Sequence, residues 1–303
     1  MEARVAADDW PAVASSARAG AATRKASIAS PSFRRLNSRS DKLRAELPQQ
    51  QQQNAEIALP EPLALSSALD AALAIVQMRN QLNLSDVSSS LAHALRPSRL
   101  RHLLQKHQPS YQAAKPFPHT IIDGLFPEEV MSALSREISQ RYSKFHGHCT
   151  RIGWNLSIPV YCSRISGKEE RKSGLTHEEL MGPTTLLVMR ALKSVEIVRF
   201  LRELSGLERK LHADPAYNGA GVHLVAPKGK LNLHADFNRY REYNLDRRVN
   251  TFLYLNHDWP ASYGGHLELW NKELTQCEQR ILPRWNRYVA PLPAERFPLL
   301  PGM

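Results

Sequence analysis

The stretch Gly229-Lys230-Leu231-Asn232-Leu233-His234-Ala235-Asp236-Phe237-Asn238 decides how the rest of the chain is read. Leu231, Leu233 and Ala235 alternate with Asn232, His234 and Asp236. In a strand alternate residues share a face, so the pattern predicts one apolar face and one that carries an imidazole beside a carboxylate. A His and an Asp two residues apart on a strand can clasp one metal ion. Mixed nitrogen and oxygen ligation of this kind suits ferrous iron when a second His completes a facial triad. The tripeptide alone is a weak signal, and the chain carries its own control in His212-Ala213-Asp214. That copy follows the charged stretch Glu203–Lys210 and runs into Pro215, so it reads as helix end and loop, with Asp214 a turn residue.

Downstream the pattern becomes more specific. Arg247-Arg248-Val249-Asn250-Thr251-Phe252-Leu253-Tyr254-Leu255-Asn256 is β-rich. Trp259 follows, then Gly264-Gly265-His266-Leu267-Glu268-Leu269-Trp270, then Pro283, Asn286 and Arg287. Asn250, Phe252 and Tyr254 share one strand face. Upstream, Pro116 to Asp123 reads as a short strand, Pro127-Glu128-Glu129 opens a helix to about Arg141, and 176–205 holds one or two helices ending near Gly206. Leucine spacing predicts an amphipathic helix over 62–80 and a helical stretch over 86–107 that Pro97 splits.

From about Gly219 to Tyr288 the chain resembles the iron(II)- and 2-oxoglutarate-dependent dioxygenases of the prolyl 4-hydroxylase-like branch. Those enzymes carry His-x-Asp-Phe-Asn, then Arg…Asn…Tyr-Leu-Asn, Gly-Gly-x-Leu-x-Leu-Trp and Pro-x-x-Asn-Arg in the same order. The resemblance implies an α+β chain built on a double-stranded β-helix, or jelly roll, with packing helices. It implies Fe(2+), 2-oxoglutarate and ascorbate as cofactors, with 2-oxoglutarate decarboxylated to succinate while a C–H bond is hydroxylated. His234 and Asp236 fall on the first two iron ligands, and Tyr254 where a tyrosine hydroxyl holds the cosubstrate. A core tyrosine with a satisfied hydroxyl fits the Tyr254 pattern equally well. His223 is a further candidate for the pocket wall.

The resemblance breaks after Arg287. The family requires a third ligand, a late-strand His, followed by an Arg or Lys that pairs with 2-oxoglutarate. After Asp236 the only histidines are His257, in a turn, and His266, on the Gly-Gly strand. Tyr288 to Pro301 contains four prolines, a composition that opposes a central strand. The last strands of the barrel are therefore expected to be missing. Three explanations stand: a truncated form of a complete enzyme, a non-catalytic binding module that keeps the fold, or an unusual site completed by His223 or His266.

The expected organisation is a disordered basic leader over 1–57, a helical extension over 58–110 and a truncated dioxygenase-like domain over 111–303. The 303 residues carry a net charge of +11. Arg18, Arg24, Lys25, Arg34, Arg35 and Arg39 stand between Trp10 and Ser40 with no acid among them. Such a leader fits plain disorder, or an organelle transit peptide. From Phe237 onward the basic excess nearly vanishes, so nucleic acid is not the expected partner. A protein or small-molecule substrate is. No apolar run is long enough to span a membrane. Three scattered cysteines, Cys149, Cys162 and Cys277, make no disulfide framework and favour an intracellular, reducing setting. Neither the substrate nor the oligomeric state is legible.

Overall fold

The structure is a computed structural model that describes residues 61–78, 84–142, 160–162, 169–217, 220–234, 239–240, 243–292 and 299–301. The expected leader 1–57 lies outside them. Among the described residues six α-helices form: α1 (Leu65–Met78), α2 (Ser85–Ala94), α3 (Pro97–Tyr111), α4 (Glu128–Tyr142), α5 (Pro183–Leu192) and α6 (Val195–Ser205). Their ends follow local chemistry. Pro97 begins α3 and Pro183 begins α5, where a missing N–H costs no helical bond. Glu128 and Glu129 complement the N-terminus of α4. Gly206, at φ 67°, closes α6, with N–H groups of Gly206 and Leu207 donating back to the Glu203 and Arg202 carbonyls.

The strands are β1 (His119–Asp123), β2 (Val160–Cys162), β3 (Glu169–Leu175), β4 (Val222–Leu231), β5 (Arg239–Tyr240), β6 (Leu245–Asp246), β7 (Phe252–Tyr254), β8 (Leu267–Trp270), β9 (Cys277–Ile281), β10 (Arg287–Pro291) and β11 (Leu299–Pro301). Three antiparallel three-stranded sheets have the orders β1-β10-β7, β11-β8-β9 and β2-β3-β4, and β5 pairs β6.

Side-chain alternation sorts these layers. On β7, Leu253 (and Leu255 just beyond it) joins the helical core, with Tyr288 and Ala290 of β10. Phe252 and Tyr254 point the other way, into a second core with Val289, Leu267, Leu269 and Ile281. The β1-β10-β7 sheet is thus covered by helices on one face and by the β8 and β9 side chains on the other. This is sheet-on-sheet packing with helices outside. Helices α1 to α3 share the helical core: the Leu65 N–H donates to Glu196 Oε2 at 2.7 Å, and Val195 N–H to the Leu63 carbonyl at 2.8 Å.

One expectation is overturned. The proline content of the tail opposes a central strand, yet β10 is the middle strand of its sheet. Pro291 is tolerated because it is the last residue of β10. Its carbonyl still accepts from Asn250 N–H at 3.2 Å, and Leu292 N–H takes up the bonding with Pro118 at 2.8 Å.

Candidate functional site

His234 stands three residues past the end of β4, which stops at Leu231, and is itself in a β-bridge; residues 235–238 of the expected strand lie outside the described residues. Leu231 is buried and Asn232 exposed, as alternation requires, but Leu233 and His234 are both half-buried. His234 Nδ1 lies 2.7 Å from the Asn232 carbonyl oxygen. A carbonyl only accepts, so Nδ1 carries the hydrogen and the neutral ring keeps its lone pair on Nε2. That tautomer, held by a backbone carbonyl, is the one a metal-ligating histidine uses. Asp236, the second proposed ligand, lies outside the described residues.

Tyr254 is fully buried on the inner face of β7, its ring stacked on Phe252 at a centroid separation of 6.3 Å. Asn250, also buried, accepts from Arg247 Nε at 2.6 Å and so anchors the loop that feeds β7. His223 is buried on β4, paired with Gly174 of β3, on the face opposite Val222 and Leu224, which pack toward the helices. Gly221 reaches this strand at φ 115°, and a Cβ there would overlap the Leu175 carbonyl oxygen.

The other two late histidines do not join this group as ligands. His257 is exposed and stacks on Trp285 at 3.4 Å between ring centroids. His266 is half-buried, and burial with Arg280 nearby lowers its pKa. Among the described residues no three His, Cys, Asp or Glu side chains gather as a metal cluster. The donor chemistry of His234 fits an iron ligand.

The Pro-x-x-Asn-Arg block serves the scaffold. Asn286, at φ 52°, receives Phe126 N–H on Oδ1 at 3.2 Å and donates through Nδ2 to the Phe126 carbonyl at 2.6 Å. Arg287 forks onto Asp123, both bonds 2.7 Å, and holds that carboxyl below its usual pKa. The Gly264-Gly265 pair takes positive φ at both residues, a backbone conformation that favours glycine.

His212-Ala213-Asp214 is loop, as expected: Asp214 Oδ1 accepts the Ala216 N–H at 3.0 Å, an Asx turn ahead of the following segment. Beside it lies a network that sequence reading missed. Glu178 Oε1 accepts from the Tyr217 hydroxyl at 2.7 Å and Oε2 from Arg190 at 2.8 Å, with Lys193 Nζ at 3.5 Å. Burial pushes the Glu178 carboxyl up, but Tyr217, Arg190 and Lys193 together hold it below its ordinary value. Burial lowers Lys193 and raises Tyr217. These residues are far apart in sequence, so no local spacing signals them.

Residues 220–296 match the family model of the 2OG-Fe(II) oxygenase superfamily. This stretch of the chain is of the 2OG-Fe(II) oxygenase kind, a superfamily that uses iron(II) and 2-oxoglutarate. The match continues past Arg287, where the motif reading had placed its end. Among solved structures the chain is similar to a prolyl hydroxylase in complex with a hypoxia inducible factor oxygen degradation domain peptide fragment from Trichoplax adhaerens. The identity is 16%, the coverage 68% of this chain and 86% of that one, and the TM-score 0.40. No curated protein matches the chain. Among the described residues no helix is long and apolar enough to cross a membrane.

Proposed function

We propose that residues 111–303 form a hydroxylase-type 2OG-Fe(II) oxygenase domain in a jelly-roll fold, with 58–110 as a helical extension. His234 and Asp236 would hold iron, and Tyr254 would meet the cosubstrate. The observation that carries this reading is the match over 220–296, a span that includes His234 and the inward-facing Tyr254. When bound, iron with 2-oxoglutarate and dioxygen supplies the oxidising power for C–H hydroxylation of a protein or small-molecule substrate. The protein's part is to fix the His234 tautomer through Asn232 and to keep Tyr254 in a dry layer between the sheets.

A second reading has its own support. Neither His257 nor His266 stands at the family's spacing for a third ligand, and no paired basic residue follows one. With two of the three ligands, the domain would hold iron weakly and act as a binding module on the same fold. The test incubates the 303-residue chain with ferrous iron, ascorbate and 2-oxoglutarate and measures succinate. Succinate above a His234→Ala control supports the oxygenase. Succinate equal to that control, from protein shown to be folded, refutes turnover by this chain and favours the binding module.

A further inference from the structure

Strand β9 pairs with β8 along one side, and no strand among the described residues lies along the other. Glu278, Gln279 and Arg280 are exposed, so this edge stands open to solvent. An open edge presents unpaired N–H and C=O groups, a template for a further strand. Proteins commonly block such edges with lysine or proline, and β9 holds neither.

The two charges of β9 are opposite in sign and flank Gln279. A second copy laid antiparallel about a two-fold axis at Gln279 sets Glu278 opposite the partner's Arg280, and Arg280 opposite the partner's Glu278. The order acid, amide, base is thus its own complement, as a two-fold interface requires. Unlike charges directly opposite across two strands stabilise the pair, and like charges destabilise it. Within one copy Arg280 Nε meets Glu268 Oε1 of β8 at 3.0 Å. Glu278 makes no hydrogen bond or ion pair among the described residues. The register shift between β8 and β9 also leaves it without an opposite number on β8. In the paired arrangement the row Glu268, Arg280 and the partner's Glu278 alternates in sign across three strands. The hairpin between β8 and β9 carries Leu274, a large apolar side chain left 46% exposed. The same axis lays that hairpin along the partner's chain where it leaves β9 at Leu282.

We propose that β9 is a self-association edge: two copies pair β9 with β9 antiparallel about Gln279 and join their β11-β8-β9 sheets into one of six strands. A strand from another protein would need the same charges in reversed order, whereas a second copy always carries them. The bulge at Glu278 shortens the ladder the edge can offer, so the interface is small and the dimer weak.

Sedimentation velocity on the full 303-residue chain, run over a series of concentrations, is expected to show a monomer–dimer equilibrium. Glu278→Arg sets two pairs of arginines against each other and should weaken the dimer at least tenfold. It removes no contact of the monomer, so its melting temperature should hold. Arg280→Glu should weaken the dimer as much. An equimolar mixture of these two variants restores both unlike pairs and should dimerise within about threefold of the parent. If the melting curve shows Arg280→Glu unfolded for want of its Glu268 contact, a cross-link replaces it. Gln279→Cys in a Cys277→Ser background puts two thiols on the axis, with Cα atoms about 4.5–5.5 Å apart and within disulfide reach. Mild oxidation should then give a covalent dimer that Cys277→Ser alone does not form and that added Glu278→Arg suppresses. A monomer at every concentration, a dimer that Glu278→Arg leaves intact, a mixture no tighter than either variant alone, or no cross-link at position 279 would each overturn the proposal. The readout needs neither iron nor 2-oxoglutarate, so its failure is separate from failure of the oxygenase reading.

Discussion

Replacing Glu137 by alanine removes the group that caps α5 from another helix. Gly182, the residue before α5, has no side chain to cap with. Instead Glu137 of α4 reaches across: Oε2 accepts Thr184 N–H at 2.8 Å, and Oε1 accepts Thr185 N–H at 2.9 Å and the Thr185 hydroxyl at 2.5 Å. Thr184 and Thr185 are buried, 4% and 0% exposed, so water cannot easily take over these bonds. Each bond to a charged acceptor is worth about 1.5–3 kcal/mol, and an orphaned buried donor costs about 1–3 kcal/mol. The two descriptions overlap, and some water will enter the space left. We expect a loss of about 3 kcal/mol, which for a domain of this size is roughly 6–12 °C in Tm. Glu137→Gln keeps one acceptor oxygen and turns an amide donor toward the N–H groups, so it should lose at least half as much. Gly182→Ala should resemble Glu137→Ala, because its Cβ would overlap the Glu137 carboxylate. Urea unfolding followed by circular dichroism measures all three. A Glu137→Ala variant within about 0.5 kcal/mol of the parent would refute the capping argument.

Two further outcomes follow from the same contacts. Arg287 depresses the Asp123 pKa in the folded state, so the pair stabilises above the unfolded carboxyl value of about 4 and that gain is lost as pH falls through the lower folded value; because Asp123 is 58% exposed, Asp123→Asn should cost only about 0.5–1 kcal/mol at neutral pH, with the gap closing as the carboxyl protonates in acid, and a gap that stays constant with pH would contradict the linkage. Gly221→Ala combines a disfavoured φ with overlap on the Leu175 carbonyl where β4 begins its pairing with β3, and should lower stability by about 2–4 kcal/mol, whereas an unchanged melting temperature would mean the backbone relaxes there at little cost.

Much of the local structure was legible because it obeys short periods. Pro97 divides two helices, Gly206 ends α6, and Phe252 and Tyr254 part from Leu253 and Leu255 as a two-residue repeat demands. Asp214 behaves as the turn residue that Pro215 implied. Among the described residues β4 pairs with β3 only as far as Leu231, opposite Glu169, so the alternation is interrupted before His234: a pattern within one strand does not say how far its partner runs beside it. The tail after Arg287 was misjudged for a related reason. Proline counts describe donors lost, but which carbonyls remain useful depends on neighbours more than a hundred residues away.

The sequence by itself determined the helical stretches, which face of β7 turns inward, and the order of motifs that the superfamily match spans, since all of these reside in spacing along one segment. Tertiary structure alone decided that β10 lies between β1 and β7 and that a glutamate of α4 caps α5. Those arrangements depend on register between strands, and on helix docking, between segments tens to more than a hundred residues apart, where only the packed core brings the groups together.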